Sequence, residues 1–301
     1  KKRVGQYTNG GIRGLFMGGS PNPANIDEIT ISTIGSYIDF GDLSQSRFYV
    51  NATSSRVRAV AGGGQTPSMT DTIDFVTFSI RGNATDFGNL SSNRAGVGAC
   101  ANSTRGLFIS GWNPAGADPT DTIDYITIAS EGNAIDFGNS SDGRVYGAGC
   151  QSSVRGIHAG GTTGGAPSYG TVNTIDYVTI ASLGNATNFG DLSVIRSHPG
   201  GASNAIRGLF AGGYQPGNKN TIDYINIPTL GNALDFGDFI ATGNGLAGVA
   251  SPTRAVFGGC HPSPYNNYGF VEFATTGNAL DFGDLSGNVA LGGASNGHGG
   301  L

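Results

Sequence analysis

The sequence repeats one unit of about 50 residues almost from end to end. Each unit has an Arg-Gly-apolar run that ends in small residues, then a run similar to TIDYVTI, then a run similar to GNAxDFGxL. The first run recurs at Arg13, Arg58, Arg105, Arg155, Arg207 and Arg254, and the third at Asp39, Asp86, Asp136, Asn188, Asp235 and Asp281. Repeats of this length that are built from short strands indicate a propeller or an array.

The third unit shows how one repeat is expected to fold. Its four predicted strands span residues 94–103, 106–110, 122–129 and 133–138. Gly132 and Asn133 both tolerate positive φ, so they predict a two-residue hairpin turn between the third and fourth strands. One unit is therefore expected to be a four-stranded antiparallel sheet.

Side-chain alternation predicts how each sheet is buried. In the third strand Ile123 and Tyr125 point to one face, whereas Ile126 and Ile128 point to the other. A sheet with two apolar faces needs a neighbour on each side, and radial stacking supplies both. The small-residue first strands suit the crowded centre of a ring. We therefore expect an all-β protein, a six-bladed β-propeller of four-stranded antiparallel blades that forms one domain over residues 1–301.

The order of these runs resembles the kelch repeat. The matching features are an Arg, a strand that ends in Gly-Gly at positions such as 62–63 and 160–161, a strand with a central aromatic residue, and a fourth strand. The fourth strand carries Phe, as at Phe87, where kelch repeats usually carry Trp. The wording TIDYVTIASxGNAxDFGDLS is also similar to repeats in virion structural proteins of tailed phages, notably of marine and cyanobacterial hosts. The first resemblance implies the fold, and the second implies a role in a virion or its tail.

One small-residue segment is left over at the end of the repeats. Residues 289–295 (VALGGAS) follow the sixth DFG and match the other first strands better than RVGQYTN near the start does. We expect this segment to close the ring as the inner strand of the first blade. The alternative is a seventh blade that is cut short.

The amino-acid composition limits the classes of partner that this chain can bind. The net charge is −5, and 12% of the residues are charged, which argues against a nucleic-acid-binding surface. No apolar run approaches the length of a membrane span, so no membrane insertion is expected. The sequence begins without Met and without an apolar signal segment, which predicts a processed chain or a piece of a longer one.

The loops between the second and third strands are the best candidates for a binding site. They differ most between units, and variable loops on a rigid scaffold usually carry binding. Aromatic residues there suit stacking on sugar rings or anchoring of protein contacts. The predicted binding residues are Trp112, Tyr169, Tyr214, His261, Tyr265 and Tyr268. Ordinary loop packing remains the alternative.

Two sets of arginines recur. The six that precede the second strands occur once per unit, which favours a structural task such as binding turn carbonyls or pairing with a carboxylate. A second set opens the first strand in four units and is replaced by Gly243 and Val289 in the last two. These residues, Arg47, Arg94, Arg144 and Arg196, predict an anion-binding ring at one mouth of the channel. The alternative is that each pairs with a neighbouring Asp.

No catalytic constellation stands out. The four His residues show no paired spacing, and the three Cys residues are expected to be buried fillers. We expect no enzyme activity, no metal and no cofactor. The expected function is a virion-associated propeller, in a tail fibre or on the surface, that binds a host-surface glycan or receptor or other virion proteins. The alternatives are a sugar-modifying or copper-dependent kelch-type enzyme and a kelch-type interaction adaptor.

Overall fold

The computed structural model describes residues 12–114, 119–165, 169–262, 266–284 and 286–301. The regular elements in these ranges are β-strands. Over the same ranges, no helix is long and apolar enough to pass through a membrane. The predicted all-β class is confirmed.

Twenty-seven strands are defined in the described residues. The first fourteen are β1 (Arg13–Met17), β2 (Asn25–Thr30), β3 (Ile38–Asp42), β4 (Asn51–Ser54), β5 (Arg58–Gly62), β6 (Thr72–Thr77), β7 (Thr85–Asn89), β8 (Gly98–Ala101), β9 (Arg105–Ile109), β10 (Thr122–Thr127), β11 (Ile135–Asn139), β12 (Arg144–Val145), β13 (Ala148–Gln151) and β14 (Arg155–Ala159). The others are β15 (Thr162–Thr163), β16 (Gly170–Thr171), β17 (Thr174–Thr179), β18 (Thr187–Asp191), β19 (Gly200–Ser203), β20 (Arg207–Ala211), β21 (Lys219–Asn226), β22 (Leu234–Gly243), β23 (Ala247–Ala250), β24 (Arg254–Gly258), β25 (Asn267–Glu272), β26 (Leu280–Asp284) and β27 (Gly292–Ser295).

In the described part of the chain these strands form six four-stranded sheets and one three-stranded sheet. Sheet 1 has the order β27-β1-β2-β3, and the next five are β4-β5-β6-β7, β8-β9-β10-β11, β13-β14-β17-β18, β19-β20-β21-β22 and β23-β24-β25-β26. Neighbouring strands in each sheet are antiparallel. The four-stranded units match the prediction. The three-stranded sheet β12-β15-β16 was not predicted, and it arises from the long loop of the fourth unit.

Each apolar core lies between two neighbouring sheets. Ile123 of sheet 3 packs with Val178 of sheet 4, whereas Ile126 and Ile128 pack with Phe87 of sheet 2. The predicted use of both faces of β10 is therefore confirmed. The same arrangement joins sheet 6 to sheet 1, where Phe16 packs with residues of β24 and β25.

The last strand closes the set of sheets. β27 pairs with β1, with Leu15 opposite Ala294. The inner strands β27, β4, β8, β13, β19 and β23 contact one another in this order, and β23 contacts β27 again. The segment after the sixth DFG thus completes sheet 1, as predicted, and does not begin a seventh four-stranded unit.

The predicted Gly-Asn hairpin turn is wrong. β10 ends at Thr127 and β11 begins only at Ile135, so the connection is longer than two residues. Gly132 and Asn133 instead contact sheet 2: Gly132 N donates to Phe87 O at 2.8 Å, and Asn133 Oδ1 accepts from Asn89 N at 3.1 Å. Propensity identified a glycine that adopts positive φ, but at Gly132 that conformation serves a contact between sheets.

The six arginines before the second strands also link neighbouring sheets. Arg105 lies over the Tyr125 ring of its own sheet at 4.9 Å, and its Nη1 donates to Ile180 O of the next sheet at 3.0 Å. Corresponding bonds to the next sheet come from Arg13, Arg58, Arg155, Arg207 and Arg254, the last to Ile31 O of sheet 1. Their predicted role in binding carbonyls is confirmed.

Candidate functional site

The four arginines of the predicted anion ring are buried in ion pairs. Arg47 Nη2 lies 2.6 Å from Asp74 Oδ2, and both side chains have 0% exposure. Arg47 Nη1 also donates to the carbonyls of Gly63 and Thr72. Equivalent pairs join Arg94 to Asp124, Arg144 to Asp176 and Arg196 to Asp223. This is the ion-pair alternative, and it leaves these guanidinium groups no exposed surface for an anion.

The ion pairs anchor the connection between consecutive sheets. Asp74 in β6 also accepts bonds from the backbone N and the hydroxyl of Ser44, which lies just after β3. Burial lowers the pKa of Arg47, and the nearby Asp74 opposes this shift. The carboxylate and the arginine thus neutralise each other's charge in a place where an unpaired charge would be costly, although Arg47 Nε is buried without a hydrogen-bond partner.

The last two junctions use other residues. At the junction of sheets 5 and 6, Gly243 and Gly269 stand where the other units have Arg and Asp. At the junction of sheets 6 and 1 the structure places Asn288, and not Val289, at the arginine position. Asn288 Nδ2 donates to Gly18 O and Asn22 O, each at 3.0 Å.

Three of the predicted loop residues occupy equivalent places. Trp112 forms a bridge with Ala95, Tyr214 with Ser197, and His261 with Asn244. These bridges tie each loop to the connection that precedes the inner strand of its sheet. We call the end of the sheets that carries these loops the loop end, and the opposite end the turn end.

The other three predicted residues have different outcomes. Tyr268 is not in a loop: it lies in β25, has 1% exposure, and packs edge-on against Phe16 with ring centroids 4.8 Å apart. It occupies the place of the buried Ile in the TIDY motif, which explains its burial. Tyr265 lies outside the described residues. Tyr169 is half-exposed, and its ring lies 5.8 Å from that of Trp112.

A closed ring of backbone hydrogen bonds surrounds the axis at the loop end. Its members all have φ between 54° and 73°: Tyr49, Gly96, Tyr146, His198, Gly245 and Ala290. Gly96 N donates to Tyr49 O, Tyr146 N to Gly96 O and His198 N to Tyr146 O, and the sequence continues through Gly245 and Ala290 back to Tyr49 N. Positive φ is uncommon outside glycine. We call the opening inside this ring the axial mouth.

Aromatic side chains gather on one side of the axial mouth. The rings of Tyr146 and His198 stack at 3.9 Å with an interplanar angle of 20°, and Tyr49 lies 4.9 Å from Tyr146. Burial raises the pKa of Tyr146 to about 12, with smaller contributions from Tyr49 and Tyr169. Burial also lowers the pKa of His198 to about 4. The Tyr146 and His198 side chains are therefore uncharged near pH 7.

A shallow pocket of about 60 Å³ opens beside these rings. On the other side of the pocket, the residues of the backbone hydrogen-bonded ring are small, namely Gly245 and Ala290. Leu246 and Leu291 also line the pocket. Sequence reasoning missed this site because its residues share a backbone conformation and not a side-chain type. The available signal was their common position, two residues after Arg47 and its equivalents.

The axis is closed at the turn end by the residues that follow β27. His298 is buried, its Nε2 donates to Ser54 O at 2.7 Å, and its Nδ1 accepts from Gly300 N at 3.1 Å. Gly299 N donates to Ser203 O in sheet 5. A cavity of about 50 Å³ lies along the axis and is lined by the inner strands and by His298.

In the described ranges, no group of three or more His, Cys, Asp or Glu side chains is placed to bind a metal ion. The search against protein-family models gave no match, and the comparison with curated proteins gave no significant similarity. The axial mouth, with Trp112 and Tyr169 in the adjoining loops, is therefore the candidate site that the geometry itself provides.

Proposed function

We propose that this chain is a six-bladed β-propeller of the kelch type, in which each four-stranded sheet is one blade. The proposal is supported by the cyclic contacts of the inner strands and by the apolar cores between neighbouring sheets. A radial arrangement buries both faces of every sheet and leaves short edges. The three-stranded sheet is then an elaboration of the loop end of the fourth blade.

The proposed function is that of a non-catalytic binding module in a phage virion, on a tail fibre or another appendage. It contacts a host-surface glycan or a neighbouring protein through its loop end. The observation that carries this proposal is the cluster of aromatic rings at the axial mouth, on the same end as the variable loops. The virion role follows the resemblance of the repeat wording to phage structural proteins.

The recurrent charged residues favour a binding role over a catalytic one. The second set of arginines is paired with buried aspartates, and the first set binds carbonyls of neighbouring blades. Both sets of recurring arginines, and the aspartates that pair with the second set, thus have structural tasks. The enzyme alternative would need groups that are free to act on a substrate.

Exposed apolar side chains at the turn end support a second contact, with another protein of the same particle. Among the described residues, more than half of the side chain is exposed at Ile12, Ile34, Val57, Ile80, Val154, Leu183, Ile206 and Leu230 in the turns at this end. Large exposed apolar surfaces mark protein interaction sites, and these side chains share one end of the sheets. One end of the disc would then attach to the particle while the other faces outward.

Two experiments test this function. Electron microscopy of the purified protein is expected to show discs with six blades, and immunogold labelling of virions is expected to mark an appendage. A glycan array is expected to give a signal that the Tyr146→Ala substitution reduces and that the Tyr37→Ala substitution, at the turn end, preserves. Absence from virions, or measurable turnover of a sugar substrate, would contradict the proposal.

A further inference from the structure

The pocket at the axial mouth is asymmetric. Tyr49, Tyr146 and His198 form a wall of rings on one side, and Gly245 and Ala290 leave space on the other. A Cβ atom at Gly245 would have its nearest neighbour, Ala290 N, at the ordinary contact distance of 3.5 Å, so this side of the pocket has room for a small group. The pocket can therefore admit a flat group against the aromatic wall.

The wall also offers polar atoms that the protein does not use. His198 Nδ1 bonds to Ser197 Oγ at 3.0 Å, which leaves Nε2 available. Within the described residues, the hydroxyls of Tyr49 and Tyr146 and His198 Nε2 have no hydrogen-bond partner, and none of these atoms is fully buried. A ligand that covers them must supply partners, because unpaired polar groups are costly to desolvate.

The main-chain hydrogen-bonding groups at the axial mouth are already paired. The N–H and C=O groups of the ring residues bond to each other around the axis. A peptide strand that adds to an exposed edge needs such groups to be free. An apolar peptide side chain would fill the space but would cover the Tyr and His tips without bonding to them.

The pocket carries no net charge. Arg144 and Arg196, near Tyr146 and His198 in sequence, are neutralised by Asp176 and Asp223. His198 is uncharged near pH 7 because burial lowers its pKa to about 4. An anionic ligand would therefore lose hydration without gaining an ion pair.

From these features we infer that the axial mouth binds one uncharged pyranose residue, with an apolar face of the sugar on the aromatic wall and its hydroxyls bonded to Tyr49, Tyr146 and His198. A pyranose has this combination of an apolar C–H face and a polar edge, and the negative face of an aromatic ring attracts polarised C–H groups. The inference rests on the proposed binding function and adds the ligand class and its place.

The test is a titration of the full chain with methyl pyranosides of glucose, galactose, mannose and N-acetylglucosamine, followed by two-dimensional NMR of ¹⁵N-labelled protein. A parallel titration uses sialic acid. At least one uncharged sugar is expected to shift the amide signals of Tyr49, Tyr146 and His198. Tyr146→Ala and His198→Ala are expected to weaken binding at least tenfold, and Tyr37→Ala, at a partly exposed tyrosine of the turn end, is the matched control.

A conservative variant guards against loss of folding. Tyr146→Phe keeps the ring and removes the hydroxyl, so binding is expected to fall severalfold while the NMR spectrum stays folded. Binding of sialic acid alone, or sugar binding that Tyr146→Phe and His198→Ala leave unchanged, would overturn the inference. A glycan-array signal that resists both substitutions would overturn this site while the proposed binding function stands. The absence of any array signal from the wild-type protein would remove both the site and the proposed glycan binding.

Discussion

Gly243 and Gly269 stand together at the one described junction where the structure has neither the arginine nor the aspartate of the buried ion pairs. A side chain at Gly269 would lie 2.7 Å from Cε2 of Phe239, and one at Gly243 would overlap Cys260. Apolar atoms thus fill the place that the ion pair occupies elsewhere. At this junction neither charge of the pair is left buried without its partner.

The ion pairs are therefore expected to be strongly coupled. Asp124→Ala should lower the free energy of unfolding by about 3–5 kcal/mol, because it leaves the Arg94 guanidinium buried without its carboxylate. In the double variant Arg94→Met/Asp124→Ala the loss should be smaller than the sum of the two single losses by at least about 1 kcal/mol. Urea unfolding of the four proteins gives the coupling energy, and strictly additive losses would contradict the interpretation.

The glycine of the DFG motif is expected to be required by the neighbouring sheet. A side chain at Gly138 would lie 2.5 Å from Gly184 O, whereas one at Gly132 would meet nothing within 4 Å. Both have positive φ, so Gly132→Ala is a matched control for backbone strain. Gly138→Ala should destabilise the protein by about 1–3 kcal/mol more than Gly132→Ala, because the chain must shift to relieve the overlap. Equal thermal unfolding of the two variants would show that the contact is unimportant.

Stability is expected to fall in mild acid because of His298. Burial lowers its pKa to about 4, the bond to Ser54 O partly opposes this, and Arg56 lowers it further. In the unfolded chain His298 takes up a proton near pH 6.5, whereas in the folded chain it does so only near pH 4. The contribution of neutral His298 to the free energy of unfolding is therefore complete above pH 6.5 and is lost as the pH falls to 4. The loss amounts to about 3 kcal/mol for this residue.

A variant isolates this effect from the other histidines. Burial lowers the pKa of His198 to about 4, and burial with a contribution from Arg144 lowers that of His158, so these residues titrate in the same direction. The difference in unfolding free energy between the wild type and His298→Gln should change with pH between 6.5 and 4. A constant difference over this range would show that His298 does not titrate on unfolding.

The thiols are expected to be inert in the folded protein. Cys100 and Cys150 have 0% exposure, and burial raises the pKa of Cys100 to about 12 and that of Cys260 to about 11. Because the thiolate is the reactive form, iodoacetamide at pH 8 should label none of them. Mass spectrometry should find full labelling after unfolding in guanidinium chloride. Rapid labelling of the native protein would contradict the burial of these side chains.

Much of the fold was predictable because the repeat specifies strands and their burial locally. The alternation of Ile123, Tyr125, Ile126 and Ile128 correctly predicted a sheet with two covered faces. The Gly-Asn pair failed as a turn predictor because its contact, from Gly132 to Phe87, joins two units. Propensity rules describe preferences that are local in sequence. They do not indicate when a distant segment of the same chain requires a particular backbone conformation.

The candidate site was less predictable. The loop aromatics Trp112 and Tyr169 were predicted because variable loops often carry binding sites, but the central rings of Tyr49, Tyr146 and His198 occupy equivalent positions that share no side-chain type. Tyr268 was misassigned because it belongs to a strand whose TIDY motif has diverged. The arginines Arg47, Arg94, Arg144 and Arg196 are buried because each has an aspartate within reach in the same sheet.

The pairing of Gly292–Ser295 with Arg13–Met17 has a consequence for biosynthesis. A ribosome releases β1 long before β27, so the inner edge of β1 must wait, unpaired, while the residues between the two strands are translated. Consecutive hairpins can form as they emerge, but sheet 1 becomes complete only when β27 leaves the exit tunnel. Ribosomes stalled before residue 292 should therefore carry a nascent chain that proteases still attack at β1.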